Sequence, residues 1–116
     1  MREILLPLAL LKGYGLSQDV AVVTDGRISD CYDGIAVGHV TPETNGQTVF
    51  SILQDGDALE INVQKGRIVC DIKAKEVQQR LRQIDSQIGN YASPYLKNWA
   101  KNCDTASNGC VALNRK

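Results

Sequence analysis

The 116-residue sequence is short of the side chains that most often announce a function. It has one histidine, His39, and four cysteines, Cys31, Cys70, Cys103 and Cys110, unevenly spaced and without a C-x-x-C pair. Structural zinc sites use closer ligand pairs, so no such site is expected and the cysteines read as free thiols in a reducing compartment. Charge of one sign is lacking too: Lys+Arg and Asp+Glu both total 13, giving a formal net charge of zero. Nothing is left over to hold a phosphate backbone or an anionic bilayer, so neither nucleic acid nor membrane is expected as a partner. No stretch approaches the roughly 20 apolar residues of a membrane span. The run at residues 4–11 is broken by Pro7 and followed by Lys12-Gly13 rather than a cleavage pattern, which argues against a signal peptide and for a cytoplasmic location. Repeats and low-complexity linkers are absent, and 43% hydrophobic content at this length suits a single domain over residues 1–116.

What is there reads as short elements. Residues 4–12 (ILLPLALLK) are apolar on nearly every side and precede the Gly13 to Gly15 stretch, which predicts a short buried helix with Pro7 in its first turn. Residues 19–24 (DVAVVT) form a β-branched run ending at Asp25-Gly26, a buried strand, and residues 35–40 a second one; the polar loop between them is where a site would be built. Residues 49–53, 58–63 and 67–72 predict three more strands, separated by Gln54-Asp55-Gly56-Asp57 and Gln64-Lys65-Gly66, both with hairpin chemistry. Val77, Leu81, Ile84 and Ile88 recur at helical spacing and predict an amphipathic helix over 74–88; PYLKNWAK at 94–101 predicts another. Cys70 falls in an apolar strand pattern and reads as a small core residue.

Two runs carry a resemblance: Thr24-Asp25-Gly26-Arg27-Ile28-Ser29 and Val37-Gly38-His39-Val40-Thr41-Pro42-Glu43. They resemble the T-D-G-R-(F/M)-S and G-H-V-x-P-E signatures of the dihydroxy-acid dehydratases and the related phosphogluconate and other sugar-acid dehydratases, in that order and at that spacing. The likeness extends through Met1-Arg2-Glu3, Pro7, Gly13-x-Gly15-Leu16, Asp55-Gly56-Asp57, Ala100-Lys101 and Ala106-Ser107-Asn108-Gly109-Cys110-Val111, and so covers nearly the whole chain. It implies an α+β (β/β/α) fold, the swivelling β-barrel-like C-terminal domain of that family flanked by helices, with which the five strands and terminal helices agree. It also implies a lyase of branched-chain amino-acid biosynthesis or sugar-acid metabolism.

The resemblance implies chemistry residue by residue. The family removes water from a 2,3-dihydroxy acid to give a 2-oxo acid, with an iron-sulfur cluster and magnesium as Lewis acids. Its serine is the proposed base and matches Ser29; a magnesium-ligating glutamate matches Glu3, a hard oxygen donor. Arg27, His39 and Glu43 fall on the remaining motif positions and would hold the loop or the substrate carboxylate. Without the motif each has a plainer reading: Ser29 as a turn residue, Glu3 as a surface charge, His39 as a hydrogen-bonded histidine inside a strand.

Departures from the pattern set the functional expectation. The cluster-binding cysteines, and the groups that complete the magnesium site, lie in a large N-terminal domain to which nothing here corresponds. Ser29 is followed by Asp30 and Cys31 where the family has glycine, and Gln47-Thr48 replace the paired glycines after the P-E motif. A carboxylate beside the proposed base opposes alkoxide formation. The expectation is therefore a dehydratase C-terminal domain that is inactive alone and holds no cofactor by itself. The alternatives are a small subunit completing a site on a larger dehydratase-like chain, or a non-catalytic ligand- or protein-binding module that covers its exposed face by homodimerisation.

Overall fold

In the computed structural model, which describes residues 2–29, 32–44, 48–84 and 93–113, the chain divides into two compact units. Residues 1–43 and 104–110 form the first, residues 44–103 and 111–116 the second. Among the described residues there are three α-helices and two two-stranded sheets, a mixed α+β arrangement in which no barrel closes. No described helix is long and apolar enough to cross a membrane.

In the first unit the apolar run folds as α1, Leu5–Gly13. Its first turn has no side-chain cap; the segment before it is tied instead by Ile4 N–H donating to the Arg27 carbonyl at 3.1 Å. Its last turn closes through Gly15, at φ 73°: Gly15 N–H donates to Lys12 O and Leu16 N–H to Leu11 O, the paired bonds a left-handed residue allows. Leu8 is the helix's buried side chain, 2% exposed.

The two expected strands of this unit are real but shorter. Strand β1 is Val22–Val23 and β2 is Ala36–Val37, paired in parallel with Val22 opposite Ala36. Asp19 and Val20 are withdrawn from β1 because their amides bond back to Leu16 O in a turn, and β2 ends where His39 takes φ 54°. Gly34 lies directly against the buried Ser17: a Cβ there would stand 1.7 Å from the Ser17 carbonyl oxygen. Tyr32 Oη donates to Val20 O and Gln18 Nε2 to Asp33 O, so the far end of the loop is fastened too.

In the second unit the strand expected at 49–53 is instead a 3-10 turn, Phe50–Ile52. Thr48 and Ser51 are the physical reason. Thr48 N–H donates to Ser51 Oγ, Ser51 N–H to Thr48 Oγ1, and Ser51 Oγ to Thr48 O, which gives these backbone groups local partners in place of a sheet ladder. Ile52, 4% exposed, is then directed inward. The Gln54 to Asp57 turn, with Gly56 at φ 95°, accordingly links this 3-10 turn to a strand rather than joining two strands. The second expected hairpin is present: β3, Leu59–Asn62, pairs antiparallel with β4, Arg67–Cys70, and Gly66 at φ 57° serves the turn. Cys70 is half-buried on β4, and desolvation pushes its thiol pKa up, with the charge of Asp57 adding to the effect.

Helix α2 runs Ala74–Gln83, shorter than the 74–88 expected; Ile84 is already extended, and 85–88 lie outside the described residues. Arg80 ties this helix to the turn before β3. Its guanidinium donates to both carboxylate oxygens of Asp57, at 2.5 and 3.0 Å, to Ile52 O at 3.2 Å and to Glu76 at 2.6 Å. These bonds hold the Asp57 carboxyl below the usual carboxylate range, helped by the Gln54 amide, and raise the guanidinium pKa further. Helix α3, Pro94–Asn102, begins on proline as expected, and Cys103 follows it in an antiparallel bridge to Ala112.

Candidate functional site

The two motif runs and the segment before α1 meet in the first unit. Thr24, the last residue of the β-branched run, donates its amide to Val37 O, and Val40 N–H returns a bond to Thr24 O, so the runs lie side by side from their first residues. Gly26 is then buried between neighbours on both sides. Its amide donates to Thr24 Oγ1 at 2.9 Å and its carbonyl accepts from His39 N–H at 3.0 Å. A Cβ at Gly26 would stand 2.5 Å from the Arg2 carbonyl oxygen. Only glycine permits that approach.

The approach matters because Arg2 O accepts the Arg27 amide at 2.7 Å, while Ile4 N–H donates to Arg27 O. Together these bonds make a parallel bridge with Glu3 opposite Arg27. Two residues more than twenty positions apart in sequence are thereby neighbours. On the other side Gly38 packs on Ile28, where a Cβ would stand 3.2 Å from Cγ1, and His39 follows with its side chain exposed.

Glu3, Arg27, Ser29 and His39 are all exposed, on one connected stretch of backbone. The strand-interior reading of His39 is corrected: it lies beyond β2 in the left-handed region, a conformation uncommon for a residue with a side chain. Asp30 and Cys31, and Gln47 of the replaced glycine pair, lie outside the described residues.

Glu43 is placed differently. Its Oε1 accepts a 2.8 Å hydrogen bond from Ala106 N–H, at the start of the 3-10 turn Ala106–Asn108. The last residue of the second motif thus fastens the closing A-S-N-G run, which Asp104 also braces by accepting from the Thr105 amide and from Asn108 Nδ2. Sequence reasoning missed both this partner and the Asp57–Arg80 pair. Neither has a signal in spacing: Glu43 and Ala106 are 63 positions apart, and Asp57 and Arg80 are 23.

Among the described residues no group of three or more His, Cys, Asp or Glu side chains could hold a metal ion. Glu3 is one exposed carboxylate, and magnesium demands near-octahedral oxygen ligation. The described residues therefore do not by themselves fit the ion. The second unit has an open polar cleft of about 390 Å³ along α2, lined by Lys73, Lys75, Glu76 and Arg80 among others; no motif residue lines it.

The comparison with known families falls on this same arrangement. The family described as dihydroxy-acid/6-phosphogluconate dehydratase C-terminal matches residues 1–110, a span that takes in both motif runs, Glu3 and the Glu43–Ala106 contact. The chain belongs to this dehydratase family. A dihydroxy-acid dehydratase of Dehalococcoides mccartyi is 39% identical over 111 residues, covering 96% of this chain and 20% of that protein. That of Acetivibrio thermocellus is 35% identical over 115 residues, 99% of this chain and 21% of its own length, and that of Halothermothrix orenii is 39% identical over 111 residues. The chain thus spans about a fifth of the length of these curated relatives. It is a dihydroxy-acid dehydratase-like C-terminal domain, and the dehydratase family's C-terminal signatures are the loop and bridge just described.

Proposed function

We propose that this chain furnishes the serine-bearing loop of a dihydroxy-acid dehydratase site, and performs no dehydration until the rest of that site is supplied by a larger dehydratase-like polypeptide. The observation that supports the reading is the Glu3–Arg27 bridge, which joins the segment before α1 to the T-D-G-R-I-S loop and brings two motif positions side by side.

In this reading the substrate is a 2,3-dihydroxy acid or a sugar acid. The proton leaves carbon 2, hydroxide leaves carbon 3 as water, and the resulting enol tautomerises to the 2-oxo acid. Ser29 Oγ takes the proton. The exposed Arg27 fork, with His39 bonded to the same turn, holds the substrate carboxylate, for which its planar pair of donors is suited. Glu43 acts one step back by fixing the A-S-N-G run. An unassisted serine hydroxyl is too weak an acid to give up its proton near neutral pH, and a single carboxylate at Glu3 does not make a magnesium site. Both shortfalls assign the cluster, the magnesium and its remaining ligands to the larger polypeptide. The fold reading that goes with this function is the swivelling β-barrel-like domain of the family.

The test is an assay against 2,3-dihydroxy-3-methylbutanoate and a panel of sugar acids. The purified chain is compared with the chain co-expressed alongside the first four-fifths of a relative such as the Dehalococcoides mccartyi enzyme. Turnover only in the second case, abolished by Ser29→Ala, is the expected result. Turnover by the chain alone refutes the dependence, and turnover that survives Ser29→Ala refutes the role of the serine.

A further inference from the structure

We propose that the outward face of α1, formed by Leu6, Leu10 and Tyr14, is the seat on which the larger part of a dihydroxy-acid dehydratase docks, the four-fifths of such a protein to which this chain has no counterpart. The inference rests on the functional reading above and adds the surface through which it works.

From Leu5 to Leu11 the helix carries no charged or hydrogen-bonding side chain. A helix apolar all round belongs in a place that is buried all round. Here burial is one-sided: Leu8 is covered and Leu11 half-covered, whereas Leu6, Leu10 and Tyr14 are 69%, 51% and 77% exposed. Their spacing of four sets them on one face, continued at its edge by Leu5 at the start of the helix. A contiguous exposed apolar face of this kind marks an interaction surface in a water-soluble protein.

Two observations select the occupant. The relatives carry about four times this chain's length in addition to the matched portion, so a polypeptide of the right ancestry to cover this face is part of every such relative. The helix also follows directly on the Glu3–Arg27 bridge, and whatever covers α1 is delivered beside the exposed motif residues. That is where further metal ligands and the rest of a site are wanted. A second copy of this chain would bring only another loop with the same single carboxylate.

The experiment co-expresses the chain with the first four-fifths of the Dehalococcoides mccartyi relative, and measures complex formation by co-purification and by titration. It compares wild type with the double variant Leu6→Lys/Tyr14→Lys. The wild type is expected to form a one-to-one complex. The double variant is expected to bind roughly 30-fold more weakly or worse, as loss of two interface anchors implies, while the free variant melts at the wild-type temperature. A complex that forms equally well with the double variant overturns this inference and leaves the functional reading standing; no complex with wild type overturns both. A free chain that is dimeric by light scattering and made monomeric by Leu6→Lys gives the face to a second copy instead. A double variant whose free chain melts well below wild type shows the face to be packed within the chain, which also overturns the proposal.

Discussion

Gly26→Ala should damage this protein far more than the loss of two hydrogens for a methyl group suggests. The new Cβ would stand 2.5 Å from Arg2 O and 3.1 Å from Thr24 Oγ1, and carbon and oxygen without a bond between them rest near 3.2 Å or beyond, so the Arg2 carbonyl must retreat by about 0.7 Å. That carbonyl holds the Arg27 amide at 2.7 Å, and the retreat takes the bond past 3.2 Å, to the edge of hydrogen bonding. Overpacking in a tight site costs about 1–3 kcal/mol and a lost hydrogen bond about 1 kcal/mol more, giving roughly 2–4 kcal/mol. Because Gly26 is not among the residues with positive φ, none of this is conformational strain. With a urea slope of about 1–3 kcal/mol per molar, the midpoint should fall by about 1 M or more, read by far-ultraviolet circular dichroism. Amide exchange at Arg27 and Ile4 should quicken together. Gly13→Ala is the internal control: it sits in the last turn of α1, nothing lies within 4 Å of its added Cβ, and it should be neutral or stabilising by up to about 1 kcal/mol. A Gly26→Ala protein within about 0.5 kcal/mol of wild type would refute the claim that this turn is held by close backbone approach.

Glu43→Ala removes the acceptor of the Ala106 amide and should cost about 1–3 kcal/mol, with Ala106 exchange accelerated; Glu43→Gln, which keeps an acceptor oxygen, should lose distinctly less. Equal losses would show that charge rather than the bond matters. The Asp57 carboxyl is held low chiefly by its hydrogen bond from Arg80, so its stabilisation is fully present above the unfolded value of 3.8 and disappears as pH falls through the lower folded value. Wild type should therefore lose melting temperature steeply below about pH 4, whereas Asp57→Asn should start lower at pH 7 and depend less on pH in that range; parallel profiles would refute the pairing. Ile52→Ala should cost about 2–5 kcal/mol, against less than about 0.5 for Val63→Ala in the exposed hairpin turn, both read from urea midpoints.

The helices and the β3–β4 hairpin were legible in the sequence because each is decided within a few residues: an apolar run stopped at Gly15, proline at the start of α3, glycine at position 66. The strand expected at 49–53 was not, although its apolar content was read correctly. Hydroxyls at Thr48 and Ser51, four positions in all from one to the other, offered the backbone local bonds that outcompeted a partner strand. The lengths of β1 and β2 were likewise set by turns at each end rather than by the β-branched run itself.

By itself the sequence determined the family and the candidate residues, because motif order and spacing are one-dimensional properties that survive without coordinates. It also determined that Gly26 and Gly38 would stand in the loop, though not what they approach. Only the tertiary structure decided that Glu3 lies opposite Arg27, that His39 leaves its strand in the left-handed region, that Glu43 is spent on Ala106, and that α1 presents Leu6, Leu10 and Tyr14 outward. Each of these is a matter of which backbone groups and side chains meet after long stretches of chain have closed on themselves. Periodicity and composition report how a segment pairs its own groups and which face it would bury, but the choice among distant partners is made by packing and by the need of every buried amide and carbonyl for a bond.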